Sequence, residues 1–100
     1  MEKRRAHYDL TIVKAVVAKR GMDAFTRTAK ENARLMGLDG QAVLEVVATL
    51  QHGMLYKSMT AHANSQVWQD VYHAPCTNGS TAYIKVTLQA GATVIQFKEK

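Results

Sequence analysis

Tyr56, Lys57, Ser58, Gln69, Tyr72, Tyr83 and Lys85 fall within thirty residues of one another and carry the groups that act on a phosphodiester. Cleaving RNA without a metal needs a base to take the proton of the ribose 2′-hydroxyl. It also needs an acid to protonate the leaving 5′-oxygen, and donors to hold charge on the phosphoryl oxygens. Tyr and Lys titrate at about 10 when unperturbed. Clustered cations or burial bring them into range as acids or bases. Gln and Lys serve as fixed donors. The same residue types also line the wet face of many half-buried sheets, so on type alone a passive face and a nuclease face both stand.

Other chemistries find no pattern. The histidines, His7, His52, His62 and His73, show no HExxH, HxH or paired spacing, and His73 with Cys76 has no second pair. No metal site and no cofactor are expected. Cys76 lies in a Pro-Cys-Thr-Asn-Gly turn with no base marked for it. As the single cysteine it forms no internal disulfide, which suits a reducing compartment. The basic N-terminus lacks an apolar segment of signal-peptide type, and no apolar run reaches spanning length. A cytoplasmic protein with no membrane partner is expected.

Positioning the seven side chains falls to a chain that changes character midway. Residues 10–20 read as a helix capped by Asp9 and stopped by Gly21, with Leu10, Val13, Val16 and Val17 on one face. A second helix is capped by Thr26 or by Thr28, the latter at capping-box spacing to Glu31, and ends at Gly37. A third runs from Gly40 to His52 after Asp39, burying Val43, Val46, Val47 and Leu50. It is too apolar to read a DNA groove.

After Gly53 the pattern turns to strands: 55–60, 66–72 and a hairpin over 81–98. In an extended 55–60, Lys57 and Met59 point one way, Tyr56 and Ser58 the other. Residues 73–80 read as a long connection with an Asn78-Gly79 turn. A hairpin connection at Gln89–Ala92 sets Val86 against Ile95 and Ile84 against Phe97 on a core face. Tyr83 against Lys98 and Lys85 against Gln96 fall on the reverse. A one-residue slip would expose the core set, so this register is firm. Parity leaves open whether Gln69 joins the Tyr83/Lys85 face. The expectation is one α+β domain over residues 1–100, a helical layer on a small antiparallel sheet.

The formal charge of +5 sits entirely in the first third. Residues 1–34 hold nine Lys and Arg against four acids, and the remainder holds four of each. That suits a nucleic acid or an acidic protein as partner, or a plain solvated helix face. A non-catalytic binding module using these helices is therefore the alternative to an enzyme.

The blocks MEKRRAH at 1–7, YKSMT at 56–60, WQDVY at 68–72, Tyr83 with Lys85, and FKEK at 97–100 occur in an order that spans the chain. In these it resembles the motility quorum-sensing regulator (MqsR) toxin family. The resemblance implies a RelE-like fold and a metal-independent mRNA interferase selective for GCU-type sites. It also implies a cognate antitoxin with a zinc-binding part and a helix-turn-helix part. By position, Lys57, Gln69 and Tyr83 match the family's catalytic residues, and His7, Tyr56, Met59 and Lys98 its accessory or RNA-contacting ones. Lys85 and His73 join the candidate RNA-binding set. His73 stands where the resemblance to a well-known member implies Arg, so a phosphate contact there would weaken as the imidazole loses its charge. The loops at 60–66, 73–80 and 89–93 also depart, the second by one extra residue.

Overall fold

Asp9 opens the helical half as its spacing predicts, its carboxylate accepting from the N–H groups of Thr11 and Ile12. The computed structural model describes residues 1–89 and 92–100. Helix α1 (Leu10–Arg20) buries Leu10, Val13 and Val17 and stops at Gly21, whose φ of 63° suits a residue without Cβ. A 3₁₀ turn over Gly21–Ala24 leads to α2 (Arg27–Leu35).

Of the two candidate caps for α2, Thr26 is the one used, its Oγ1 accepting from Ala29 N at 3.0 Å. The Thr28 capping box does not form. Glu31 instead reaches forward to Arg34 at 2.6 Å. Helix α3 (Gly40–Ala48) ends four residues before the His52 expected from its apolar stripe. Thr49 bends its hydroxyl back onto the carbonyls of Glu45 and Val46 and closes the helix. Leu50 is buried beyond the helix, and Lys14 takes its carbonyl at 3.0 Å.

Five antiparallel strands follow one another across the sheet: β1 (Glu2–Lys3), β2 (Leu55–Thr60), β3 (Trp68–Pro75), β4 (Thr81–Gln89) and β5 (Ala92–Glu99). The two-residue β1, beside β2, is too short to leave a periodic signal. The β4–β5 register is the one parity demands, with Ile84 on Phe97, Val86 on Ile95, Lys85 on Gln96 and Tyr83 on Lys98. Its connection at Ala90 and Gly91 lies outside the described residues.

Ile84, Val86, Ile95 and Phe97 meet the helices in one core with Val13, Val17, Ala29, Val43, Val46 and Val47. Each such aliphatic or aromatic burial stabilises by about 1.5–3 kcal/mol. At the free edge of β5, Thr26 N donates to the Ile95 carbonyl at 3.0 Å and Asn32 Nδ2 to the Phe97 carbonyl at 3.0 Å. The start of α2 thus covers an edge that would otherwise offer unpaired groups.

Candidate active site on the outer face of the sheet

The strand holding Gln69 begins two residues later and runs three residues further than its composition predicts. β3 continues through His73 and Ala74 to Pro75, where a missing N–H is tolerated at a strand end. Only Cys76–Ser80 remains as the turn, closed by Cys76 N to the Ser80 carbonyl at 2.9 Å. The long 73–80 connection is therefore corrected, and His73 is a strand residue paired with Tyr83. The register also answers what parity left open. Lys57 faces Val71, and Val71 faces Lys85, which faces Gln96. Gln69 and Met59 face each other two residues along the same side. Gln69 thus shares the outer face with Lys57, Tyr83 and Lys85.

The alternation expected for β2 fails at one residue. Leu55 pairs with Tyr72 and Lys57 with Val71, so two steps on β2 match one on β3. Tyr56 is the extra residue of a β-bulge, and a bulge re-aims the side chain it carries. Instead of pointing with Ser58, Tyr56 turns to the outer face and stacks on His73, centroids 4.5 Å apart at 19°. Arg4 Nη1 donates to the Tyr56 carbonyl at 3.3 Å.

Ser58 and Tyr72, counted among the reactive groups from sequence, lie on the opposite, helix-bearing side. Ser58 is buried against the Asp70 carboxylate at 2.6 Å. Tyr72 is buried in the core, and burial and then the Asp70 charge push its phenol up to about 12. Parity dictates both placements.

His73 lies between two tyrosines, with Tyr83 on its other side at 5.5 Å and 41°. Lys98 Nζ stands 4.9 Å from the centre of the Tyr83 ring, and Lys57 Nζ 5.4 Å from that of Tyr56. Lys57 donates to Glu2 Oε1 at 2.6 Å. This bond raises the Lys57 pKa above its ordinary value, outweighing desolvation. The pKa of Lys85 is shifted down, first by burial and then by Lys98 and Lys57. That of His73 is also shifted down, by burial and then by Lys100.

Two clefts meet on this face. One, of about 350 Å³, lies between Thr26, Thr28 and Asn32 of the α2 segment and Tyr83, Lys85 and Lys98. The other, of about 540 Å³, runs from Met1 and Glu2 past Met59 and His62 to Gln69. Lys85 lines both, so the two lie on either side of it as a trough across the sheet.

The candidate set is thereby largely gathered: Lys57, Gln69, Tyr83, Tyr56, Met59, His73, Lys85 and Lys98 share one face. His7 does not join them. Its ring stacks on Trp68 at 5.2 Å, and Trp68 has the parity opposite to Gln69. Lys3 donates to His7 Nδ1 at 3.0 Å and stands 4.2 Å over the Trp68 ring.

The N-terminal arm is tied down by Asp70, which is 1% exposed and accepts from His7 N, Tyr8 N at 2.9 Å and Ser58 Oγ. Glu2 and the α2 wall are the parts sequence reasoning missed. Nothing local marks Glu2, whereas the Thr26 cap was the available clue to where α2 starts. Among the described residues no three His, Cys, Asp or Glu side chains are grouped as a metal site requires.

The outer face is thus built of cations, phenols and an amide, with the α2 segment as a wall at one side. The family profile described as "Motility quorum-sensing regulator, toxin of MqsA" matches residues 5–99. The chain belongs to this family. It is also 38% identical, over the whole of both chains, to a protein of Escherichia coli (strain K12) named "mRNA interferase toxin MqsR". Family membership accords with the antiparallel sheet and the helical layer described above. No helix is long and apolar enough to cross a membrane among the described residues.

Proposed function

We propose that this chain is the toxin of a toxin–antitoxin pair and a metal-independent endoribonuclease. It cleaves mRNA at GCU-type sites in the cytoplasm and so arrests translation and growth. The observation that carries this reading is the gathering of Lys57, Gln69 and Tyr83 on the outer face. Full-length similarity to an interferase supports it. The whole chain acts as one domain, and an antitoxin with zinc-binding and helix-turn-helix parts is its inhibitory partner.

Lys57, Gln69 and Tyr83 are assigned as catalytic. Glu2 holds Lys57 as an ammonium, so Lys57 acts as donor to the leaving 5′-oxygen and to phosphoryl charge. Gln69 holds a phosphoryl oxygen as a neutral fixed donor. Tyr83 presents its hydroxyl to the reacting groups. Tyr56, Met59, His73, Lys85 and Lys98 contact the RNA across the outer face, where aromatic rings suit stacked bases and lysines the backbone. His7, on the other side of β3, is assigned an RNA contact beyond the trough.

The test is incubation of purified protein with a defined GCU-containing RNA in EDTA. Discrete products ending in 2′,3′-cyclic phosphate and 5′-hydroxyl are expected. RNA that is shifted on a gel but stays intact would instead make this a binding module.

A further inference from the structure

The outer face is rich in proton donors and poor in acceptors. Lys57 is held as a cation by Glu2. Tyr56 and Tyr83 must each lose a phenolic proton before accepting one. Lys98 and Lys100 are exposed ammonium groups, which carry donors and no acceptor. The Glu2 carboxylate is engaged by Lys57, which lowers its pKa and makes it a weaker base. A 2′-hydroxyl brought to this face beside Lys57 and Tyr83 needs an acceptor, and an imidazole is the side chain suited to the task at neutral pH.

We propose that His73 accepts the 2′-hydroxyl proton in this chain, a catalytic role beyond the phosphate contact its position suggests. The inference rests on the nuclease reading above. The rings of Tyr56 and Tyr83, from β2 and β4, flank the imidazole and fix its plane. Neither of its nitrogens is hydrogen-bonded among the described residues, so both remain free for substrate. Its partner Tyr83 is two residues along β4 from Lys85, and His73 itself is two along β3 from Val71, on the same side of the strand as Gln69.

The step balances. Neutral His73 takes the 2′-hydroxyl proton as O2′ bonds to phosphorus. The P–O5′ bond breaks, and the Lys57 ammonium protonates the departing O5′. The products are a 2′,3′-cyclic phosphate and a 5′-hydroxyl. Water returns a proton to Lys57 and takes one from His73.

The rings against His73 are Tyr56 from β2 and Tyr83 from β4; Lys57, Lys85 and Lys98 share its face of the sheet, and Lys100 acts on it from the end of the chain. Arg4 lies behind Tyr56, its guanidinium 5.8 Å from the ring centre. The nearby acid is Glu2, paired with Lys57. Burial, and after it the charge of Lys100, favours the neutral imidazole. A base and a phosphate-gripping imidazolium then predict opposite signs. With a base, cleavage rises with pH through the His73 pKa, itself below the ordinary imidazole value, and levels above it. With an imidazolium grip, cleavage and binding fall over the same range.

The experiment is single-turnover cleavage of a GCU-containing RNA in EDTA from pH 4.5 to 8. Wild type is compared with His73→Phe, which keeps a ring in the stack, and with His73→Ala with and without added imidazole. Affinity for a 2′-deoxy-substituted, uncleavable RNA is measured alongside.

Wild type should show the rising limb. His73→Phe should bind within about threefold of wild type and cleave about 100-fold slower or worse, without that limb. Imidazole should restore part of the His73→Ala rate. A wild-type rate that falls with pH, or either variant cleaving at the wild-type rate, would overturn the assignment and leave the nuclease reading intact. Wild-type protein that leaves the RNA uncut would overturn both.

Discussion

Lys57 and Glu2 join the second strand to the short first strand through an ion pair of 2.6 Å, with the Lys57 side chain 19% exposed and Glu2 55%. The signs of the two shifts define where the pair acts. The raised Lys57 pKa contributes stability at neutral pH that is lost as pH rises through it. The lowered Glu2 pKa contributes stability that is lost as pH falls through it. With Glu2 more than half exposed, the pair adds little to folding, and its consequence is for the protonation of Lys57. Glu2→Gln should lower the Lys57 pKa, read by NMR titration of its ammonium. It should also tighten RNA binding severalfold by removing a negative charge from the trough. An unmoved Lys57 titration would contradict the pairing.

Asp70 holds the N-terminal arm from beneath the same strand, accepting from two backbone amides and Ser58. Removing a buried, hydrogen-bonded carboxylate leaves those donors unpaired. Asp70→Ala should cost about 2–4 kcal/mol by urea denaturation. Hydrogen exchange at His7 and Tyr8 should accelerate ahead of the rest of the chain. Ser58→Ala, which removes one donor and leaves two, should cost less. Equal losses for the two variants would show that the arm is not anchored through Asp70.

The helical caps show how much the sequence carried and where it stopped. Asp9, Asp39 and Gly21 act where local chemistry puts them, and the β4–β5 register follows from the alternation of Ile84 and Val86 with Tyr83 and Lys85. Local rules could not choose between Thr26 and Thr28, because both have the right side chain. The choice falls to Thr26, whose backbone N–H bonds to Ile95 across the sheet edge. Likewise Tyr56 reached the outer face through a bulge, and His73 through the extension of β3, neither of which leaves a period in the sequence. The site was legible as residue types and only partly as geometry. Thr26→Ala should destabilise by about 1 kcal/mol and Thr28→Ala by less than about 0.5 kcal/mol, compared by thermal unfolding.

Tyr72 gives the fold an alkaline limit. Its phenol, at about 10 in an unfolded chain, is pushed up to about 12 by burial and by Asp70. A raised pKa contributes stability that is whole below the unfolded value and lost as pH rises through the folded one. Wild-type stability should therefore fall between about pH 10 and 12. Other tyrosines and lysines titrate there too, so the difference from Tyr72→Phe isolates the effect. The variant should fall less steeply over that interval, and parallel curves would refute the assignment.

The sharpest separation between a working face and a merely wet one lies in side chains that stability does not need. Gln69 is on the outer face opposite Met59 and makes no side-chain hydrogen bond among the described residues. Gln69→Ala should leave the unfolding midpoint nearly unchanged, within about 0.5 kcal/mol. If its amide holds a phosphoryl oxygen in the transition state, the single-turnover rate should fall about 100-fold with little change in RNA affinity. Lys57→Ala should lose both rate and affinity, because its ammonium meets the phosphate before and during reaction. Tyr83→Phe keeps the ring beside His73 and removes only the hydroxyl, so a slower rate with unchanged binding would place that hydroxyl in the chemistry. Folded Lys57→Ala, Gln69→Ala and Tyr83→Phe proteins that all cleave at the wild-type rate would make the outer face a passive surface.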